Sequence, residues 1–277
     1  MSEDFLAGMA ASSRARVAAA RAVQSAAQLR GKIAALPVPP RLRRSPLGFD
    51  LIAELKLRSP AAGALQSAAT TDVAERVTAY GRAGAAAVSI LTEPSRFDGS
   101  LYHLQIAAQA LAADGVPVMR KDFLVDPYQV LEARAAGAGG VLVILRMLPQ
   151  ADLEALIDTA LEQGLFVLLE AFDETDIELA HRLVAVRSGH TELLLVGVNC
   201  RDLVTLQVVP GRLEALAASL PTNVARVAES GVATAADAAR VAAAGYHMAL
   251  VGSALMIGGN PAQLAKAMLH AARAART

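Results

Sequence analysis

Residues 116–144 read VPVMRKDFLVDPYQVLEARAAGAGGVLVI, and their order decides the fold. An apolar run stops at Arg120, Lys121 and Asp122, and Pro127 then opens a stretch with helical spacing. Gly137, Gly139 and Gly140 break that stretch before a second apolar run ends at Ile144. Proline suits the first turn of a helix, where its missing N–H costs nothing. A strand, a helix and another strand in this order make the two strands parallel, because the helix returns the chain to the same edge of the sheet.

The same alternation extends in both directions. Strands are expected near residues 50–55, 86–91, 116–119, 140–145, 165–169, 194–198, 224–228 and 248–251. Helices are expected to begin near Asp72, Ser100, Pro127, Pro149, Asp173, Pro210, Thr234 and Pro261. Eight such units predict an α/β chain closed as a (β/α)8 TIM barrel, which typically takes ~250 residues; the chain has 277. A doubly wound open sheet is the alternative. The count of eight weakens it, and so does the absence of a G-x-G-x-x-G after the first strand. Residues 1–47, rich in Ala, Arg and Ser, read as an N-terminal helical extension packed on the barrel. Glu3 and Asp4 argue against a transit peptide there, and Pro37-Val-Pro-Pro40 closes the segment. Residues 48–277 then form the barrel, with one domain overall.

Composition narrows the function classes. Basic and acidic residues number 26 each, so no basic excess suggests nucleic acid. No apolar run reaches the ~18 residues that span a membrane. One cysteine excludes an internal disulfide and suits a reducing compartment, so a cytoplasmic location is expected. The five histidines lack ligand spacing, so no metal site is expected.

The polar groups stand where the apolar runs stop. Glu54 and Lys56 follow the first strand, Lys121 and Phe123 the third, Glu170 the fifth, Asn199 and Arg201 the sixth, Glu229 the seventh. Residues two apart share a strand face, so Glu54 and Lys56 can both enter the barrel mouth. Strand C-termini are where barrel enzymes gather their catalytic groups. Lysine sharpens this reading. Only Lys32, Lys56, Lys121 and Lys266 occur among 26 basic residues, and two of the four stand at strand ends. Arginine cannot release a proton near neutral pH, whereas a partly buried lysine can, as an acid or a Schiff-base nucleophile must. The pairs Ser230-Gly231 and Gly252-Ser253 follow strands seven and eight, the usual phosphate position in such barrels. Cys200, without a histidine partner in its motif, reads as a filler.

Taken as an ordered set, these motifs resemble the indole-3-glycerol phosphate synthase family. The set includes Glu54-Leu-Lys56-Leu-Arg-Ser59-Pro60, Leu91-Thr-Glu93, Phe97-Asp-Gly-Ser100, Arg120-Lys-Asp-Phe123, Glu170, Asn199-Cys-Arg-Asp-Leu203, Ala228-Glu-Ser-Gly231 and Gly252-Ser-Ala-Leu-Met256. The resemblance runs from about Phe49 to about Ala265. It implies that Lys121 is the general acid of ring closure and that Lys56 and Glu54 serve a later dehydration. Glu170 is the other candidate base. Asn199, Arg201 and Glu229 would orient the substrate and tune the lysines. Ser59, Ser230, Gly231, Gly252 and Ser253 would surround its phosphate. The implied partner is a small phosphorylated substrate, 1-(2-carboxyphenylamino)-1-deoxyribulose 5-phosphate, and no cofactor is implied because no redox step occurs. The chain departs from the family at Ala61-Ala62, where Ser-Lys is usual, at Cys200, and at Ile257. Two other readings stay open: a barrel that forms a Schiff base through Lys56 or Lys121, and a barrel that only binds a phosphorylated metabolite.

Overall fold

The computed structural model describes residues 5–59, 63–64, 72–257 and 259–276, with the side chains of Ser59 and Ala64 left aside. Eight parallel strands close into a barrel. They are β1 (Asp50–Leu55), β2 (Ala87–Leu91), β3 (Val118–Lys121), β4 (Gly140–Ile144), β5 (Phe166–Ala171), β6 (Leu194–Asn199), β7 (Ala225–Glu229) and β8 (Met248–Val251). Each pairs with its sequence neighbours, and β8 closes on β1 with Leu250 opposite Ile52. Two helices precede the barrel, α1 (Phe5–Val23) and α2 (Ala26–Ala34). The outer layer holds α3 (Val73–Arg82), α4 (Leu101–Leu111), α5 (Pro127–Ala135), α6 (Gln150–Glu162), α7 (Glu174–Ala185), α8 (Arg212–Ala217), α9 (Ala235–Ala243) and α10 (Pro261–Ala274). No helix among the described residues is long and apolar enough to cross a membrane.

Local chemistry explains the helix starts. Asp72, Ser100, Asp126, Asp173, Thr234 and Asn260 each accept a backbone N–H of the first turn. Such a cap satisfies a donor that the helix leaves unpaired, and losing it costs ~1 kcal/mol. At α8 the cap is Gly211, one residue beyond the expected Pro210, with φ of 76°.

Side chains alternate along the strands. Ile52, Ala87, Met119, Leu142, Phe166, Leu168, Leu195, Val227, Met248 and Leu250 fill the barrel interior. Their neighbours Leu51, Ala53, Val88, Val118, Val141, Val167, Val196 and Ala249 pack outward against the helices. The strands run slightly past the apolar stretches that announce them. β3 starts after Pro117, which has no N–H for the ladder, and continues to Lys121, opposite Leu91. β5 includes Glu170 and β7 includes Glu229. The polar residues keep their place in the ladder because only their side chains, not their backbones, depart from the apolar pattern.

Candidate active site

The interior phase of each strand, carried one step beyond the apolar core, delivers the polar groups. Glu54 follows Ile52, Lys121 follows Met119, Glu170 follows Leu168, and Glu229 follows Val227, each by two residues. They meet in a cavity at the strand C-termini. Its wall includes Glu54, Lys56, Lys121, Phe123, Glu170, Asn199, Arg201, Glu229 and Ser230. Every catalytic group expected from the sequence is therefore in one cavity. Of the phosphate set, Ser230 is in the wall, and Gly231, Gly252 and Ser253 flank it, half-buried. Ser59 ends a short hairpin strand, its side chain outside the described atoms, as are Pro60, Ala61 and Ala62.

Lys56 Nζ lies 2.9 Å from Glu54 Oε1. Lys121 Nζ lies between two carboxylates, 3.5 Å from Glu229 Oε2 and 3.7 Å from Glu170 Oε1. Glu170 also accepts from Asn199 Nδ2 at 2.5 Å, which fixes the carboxylate. Asn199 Oδ1 in turn accepts the Arg201 N–H at 2.9 Å, and the Arg201 guanidinium donates to the Leu206 carbonyl at 2.7 Å. Glu54 Oε2 and both Glu229 oxygens are buried without a hydrogen-bond partner among the described residues. Buried polar atoms of this kind are rare in a finished core and common where a ligand completes the site.

Burial opposes the charge of Lys121, but Glu170, Glu229 and Glu54 outweigh it and raise the ammonium above the usual lysine range. Burial, then repulsion from Glu170, push the Glu229 carboxyl up to about 8 against the pull of Lys121. Two ammonium groups among three carboxylates leave one negative charge in excess. A proton held on Glu229 removes it.

Close packing holds the carboxylates in place. A Cβ on Gly197 would stand 2.2 Å from Glu229 Oε1, and one on Gly252 would stand 2.3 Å from Glu54 Oε1. Each carboxylate thus occupies the space that a glycine leaves free, Gly197 on β6 and Gly252 just past the end of β8. Ser230 and Gly231 both take positive φ, 63° and 68°, so the chain turns sharply as it leaves β7. For a serine that conformation costs about 1–3 kcal/mol, and it tends to be kept at functional sites.

Of the other polar strand-end groups, Asp122 also borders the cavity but makes its ion pairs away from the cluster, while Glu93 and Arg120 stay outside it. Glu93 caps the turn at Pro94–Phe97 by accepting from the Ser95 and Arg96 N–H groups. Arg120 and Asp122 belong to the outward phase of β3 and pair at 3.0 Å. Asp122 also accepts from Arg16 of α1 at 2.8 and 2.9 Å and from Thr92 at 2.7 Å. Although burial opposes it, the Arg120 and Arg16 guanidiniums hold this carboxyl well below the usual carboxylate range. Ser13 donates to the Phe123 carbonyl at 2.5 Å, so α1 is tied to the strand that bears Lys121. Cys200 takes the outward phase too, buried with Val198 in the layer between strands and helices.

Sequence reasoning missed the apolar walls. Phe5 of α1 lines the cavity and meets Phe123 edge to face, with ring centroids 5.8 Å apart. Phe97, Phe172, Leu203 and Leu206 complete a surface suited to an aromatic ring. Phe172 was available from the strand phase, two residues beyond Glu170. Phe5 was not, since nothing local tells where a preceding helix will dock.

The model of the family described as indole-3-glycerol phosphate synthase matches residues 6–268. Relatives described by the same words include one from Parafrankia sp., 43% identical over 253 residues, which cover 90% of this chain and 89% of that one. One from Mycolicibacterium gilvum is 41% identical over 90% of this chain and 87% of its own length. One from Rhodococcus jostii is 40% identical over 93% and 92%. Among solved structures, a thiamine phosphate pyrophosphorylase from Pyrococcus furiosus superposes with a TM-score of 0.59 at 14% identity, covering 83% of this chain and 97% of that chain. A 3-hexulose-6-phosphate synthase from Salmonella typhimurium gives 0.59 at 15%, covering 80% and 98%. At such identities these two speak for the barrel alone.

Proposed function

Because the chain belongs to the indole-3-glycerol phosphate synthase family, we propose that its barrel mouth is where the indole ring closes and that Lys121 is the acid of that step. The reaction is that of a carboxy-lyase, with 1-(2-carboxyphenylamino)-1-deoxyribulose 5-phosphate as substrate. The ring carbon that bears the carboxylate attacks the C2′ ketone, and the ketone oxygen takes a proton. The bond to the carboxylate then breaks, its electron pair returns to the ring, and CO2 leaves. Loss of the C2′ hydroxyl as water and of a last proton gives the aromatic indole.

Lys121 is the donor to the ketone oxygen in this reading. Its ammonium lies between Glu170 and Glu229 and can give up a proton, which an arginine could not. Lys56 protonates the departing hydroxyl, held by Glu54 at 2.9 Å. Glu54 or Glu170 takes the last proton. Each such acid–base contribution is worth ~10²–10⁴-fold. Phe123, with Phe5 and Phe97 near it, stacks the anthranilate ring, and Arg201 and Asn199 orient the chain of the substrate. Ser59, Ser230, Gly231, Gly252 and Ser253 receive the phosphate. A cytoplasmic location belongs to the same proposal, as does the absence of nucleic acid among its partners. The observation that carries the reading is the placement of Lys121 Nζ between two buried carboxylates at the mouth. The test is to incubate the purified protein with the carboxyphenylamino-deoxyribulose phosphate and follow indole fluorescence; a folded protein that yields none would sink it.

A further inference from the structure

At the opposite end of the barrel, where the strands begin, a second cleft opens to solvent. Arg44, His247, Lys266, Arg273 and Arg276 line it, with Asp50 as the carboxylate in its described wall. That carboxylate is already engaged. It accepts the Ser45 N–H at 2.8 Å and pairs with Arg273 at 3.3 Å. Arg276 is held by carbonyls rather than by a counter-charge, donating to Gly48 at 2.5 Å and to Tyr246 at 3.0 Å. Arg44 is exposed and, among the described residues, makes no side-chain hydrogen bond or ion pair.

The guanidiniums act on one another. Burial, then Arg226 and Arg44, lower the Arg276 group below its ordinary value. Burial, then Arg276, Arg44 and Arg226, push the His247 imidazole down to about 4, so the ring is neutral near pH 7. His247 Nδ1 accepts the Arg226 N–H at 3.1 Å, which leaves the proton on Nε2 as a free donor. Like charges fixed around one concavity repel until an anion enters, and the repulsion then becomes attraction. Guanidinium forks fit the edges of oxyanions, and carbonyl anchoring leaves the Arg276 fork fixed in place.

We propose that this cleft is a second anion site, which takes a phosphate-type oxyanion of two or more negative charges between Arg44, His247 and Arg276. It is separate from the substrate phosphate position, because the whole of β8 lies between His247 and Gly252. That is roughly 13 Å at ~3.3 Å per residue. The site joins Arg44, which precedes the first strand, to Arg276, which follows α10. A bound anion ties together the segments that lead into and out of the barrel and stabilises the fold by mass action.

The test titrates sodium pyrophosphate into the full-length protein while NMR follows the His247 imidazole, assigned with a His247→Gln variant. Sodium chloride at matched ionic strength is the control. A saturable shift with pyrophosphate and none with chloride is expected. In Arg44→Ala the apparent affinity should fall about fivefold, as befits one exposed ion contact. Turnover of the same variant should stay at the wild-type value, since Arg44 lies far from the mouth. A shift that chloride reproduces, one that fails to saturate, or equal affinity in Arg44→Ala would each overturn the proposal.

Discussion

Replacing Gly197 by alanine tests whether the position of Glu229 matters to turnover. The added Cβ would stand 2.2 Å from Glu229 Oε1 and 3.1 Å from Leu168 Cδ1. A relaxed contact needs roughly 3.5 Å, so the carboxylate must retreat by about 1 Å or more. It has little room, being 1% exposed inside a closed barrel. The retreat lengthens the 3.5 Å approach to Lys121, which then faces Glu170 alone. A displacement of about 1 Å in a reacting constellation costs ~10²-fold in rate. Overpacking adds a stability cost of about 1–3 kcal/mol. The assay is indole fluorescence for kcat and KM, with circular dichroism and thermal melting to confirm a folded variant. We expect kcat to fall ~10²-fold with KM much less changed, and the pH–rate profile to shift, because the proton on Glu229 is redistributed. Gly189→Ala is the matching control, since nothing lies within 4 Å of its added Cβ. A folded Gly197→Ala with kcat within about threefold of wild type, under ~1 kcal/mol of barrier, would refute the reasoning.

Lys121→Arg should be nearly as inactive as Lys121→Ala, because the charge survives but the proton does not leave; substantial turnover in the arginine variant would leave Lys121 a purely electrostatic role. Glu229 offers a pH test. Its folded carboxyl holds a proton up to about 8, against an ordinary value of 4.5, so its contribution to stability is full below 4.5 and is lost as pH rises through that window. Wild type should therefore lose stability relative to Glu229→Gln between about pH 5 and 8, and parallel melting profiles for the two would contradict this. Cys200→Ser should keep turnover close to wild type at a stability cost of ~1 kcal/mol, and iodoacetamide should react slowly with a thiol that burial raises. Rapid inactivation with strong substrate protection would show instead that the thiol faces the mouth.

Most of the barrel could be read from the sequence because its signals are local. A cap such as Asp173 or Thr234 sits beside the helix it starts, and the apolar runs are the strands. The site was legible for the same reason: a two-residue step from Met119 or Val227 in the barrel interior lands on Lys121 or Glu229. The same rule separates Arg120 and Cys200, one step out of phase, from the groups at the mouth. What was not legible depends on contacts distant in the chain. The Arg16–Asp122 pair spans 106 residues, and the Phe5–Phe123 contact depends on that docking. The glycines under the carboxylates belong to the same class. Gly197 in β6 and Gly252 just after β8 look like ordinary glycines until the barrel places Glu229 and Glu54 over them.

The charge balance at the mouth also separates ring closure from Schiff-base chemistry. A Schiff base begins with a neutral amine attacking a carbonyl, so the lysine must be deprotonated near pH 7, usually by burial among apolar or cationic groups. Lys121 has the opposite surroundings, with Glu170 and Glu229 near it and Glu54 acting from farther off, and its ammonium is stabilised. Such a lysine is a poor nucleophile, which favours the proposed acid role over a Schiff base. Its high affinity for the proton raises a second question, how it releases one during turnover. Glu229 supplies an answer. A substrate bearing a carboxylate and a phosphate brings more negative charge into a mouth that already holds three carboxylates and two ammoniums. Entry of those anions favours keeping the proton on Glu229, which weakens its hold on Lys121 as the ketone oxygen begins to gather charge. In the proposed reading the proton then moves directly to the oxygen from an ammonium held mainly by Glu170, whose carboxylate Asn199 fixes at 2.5 Å.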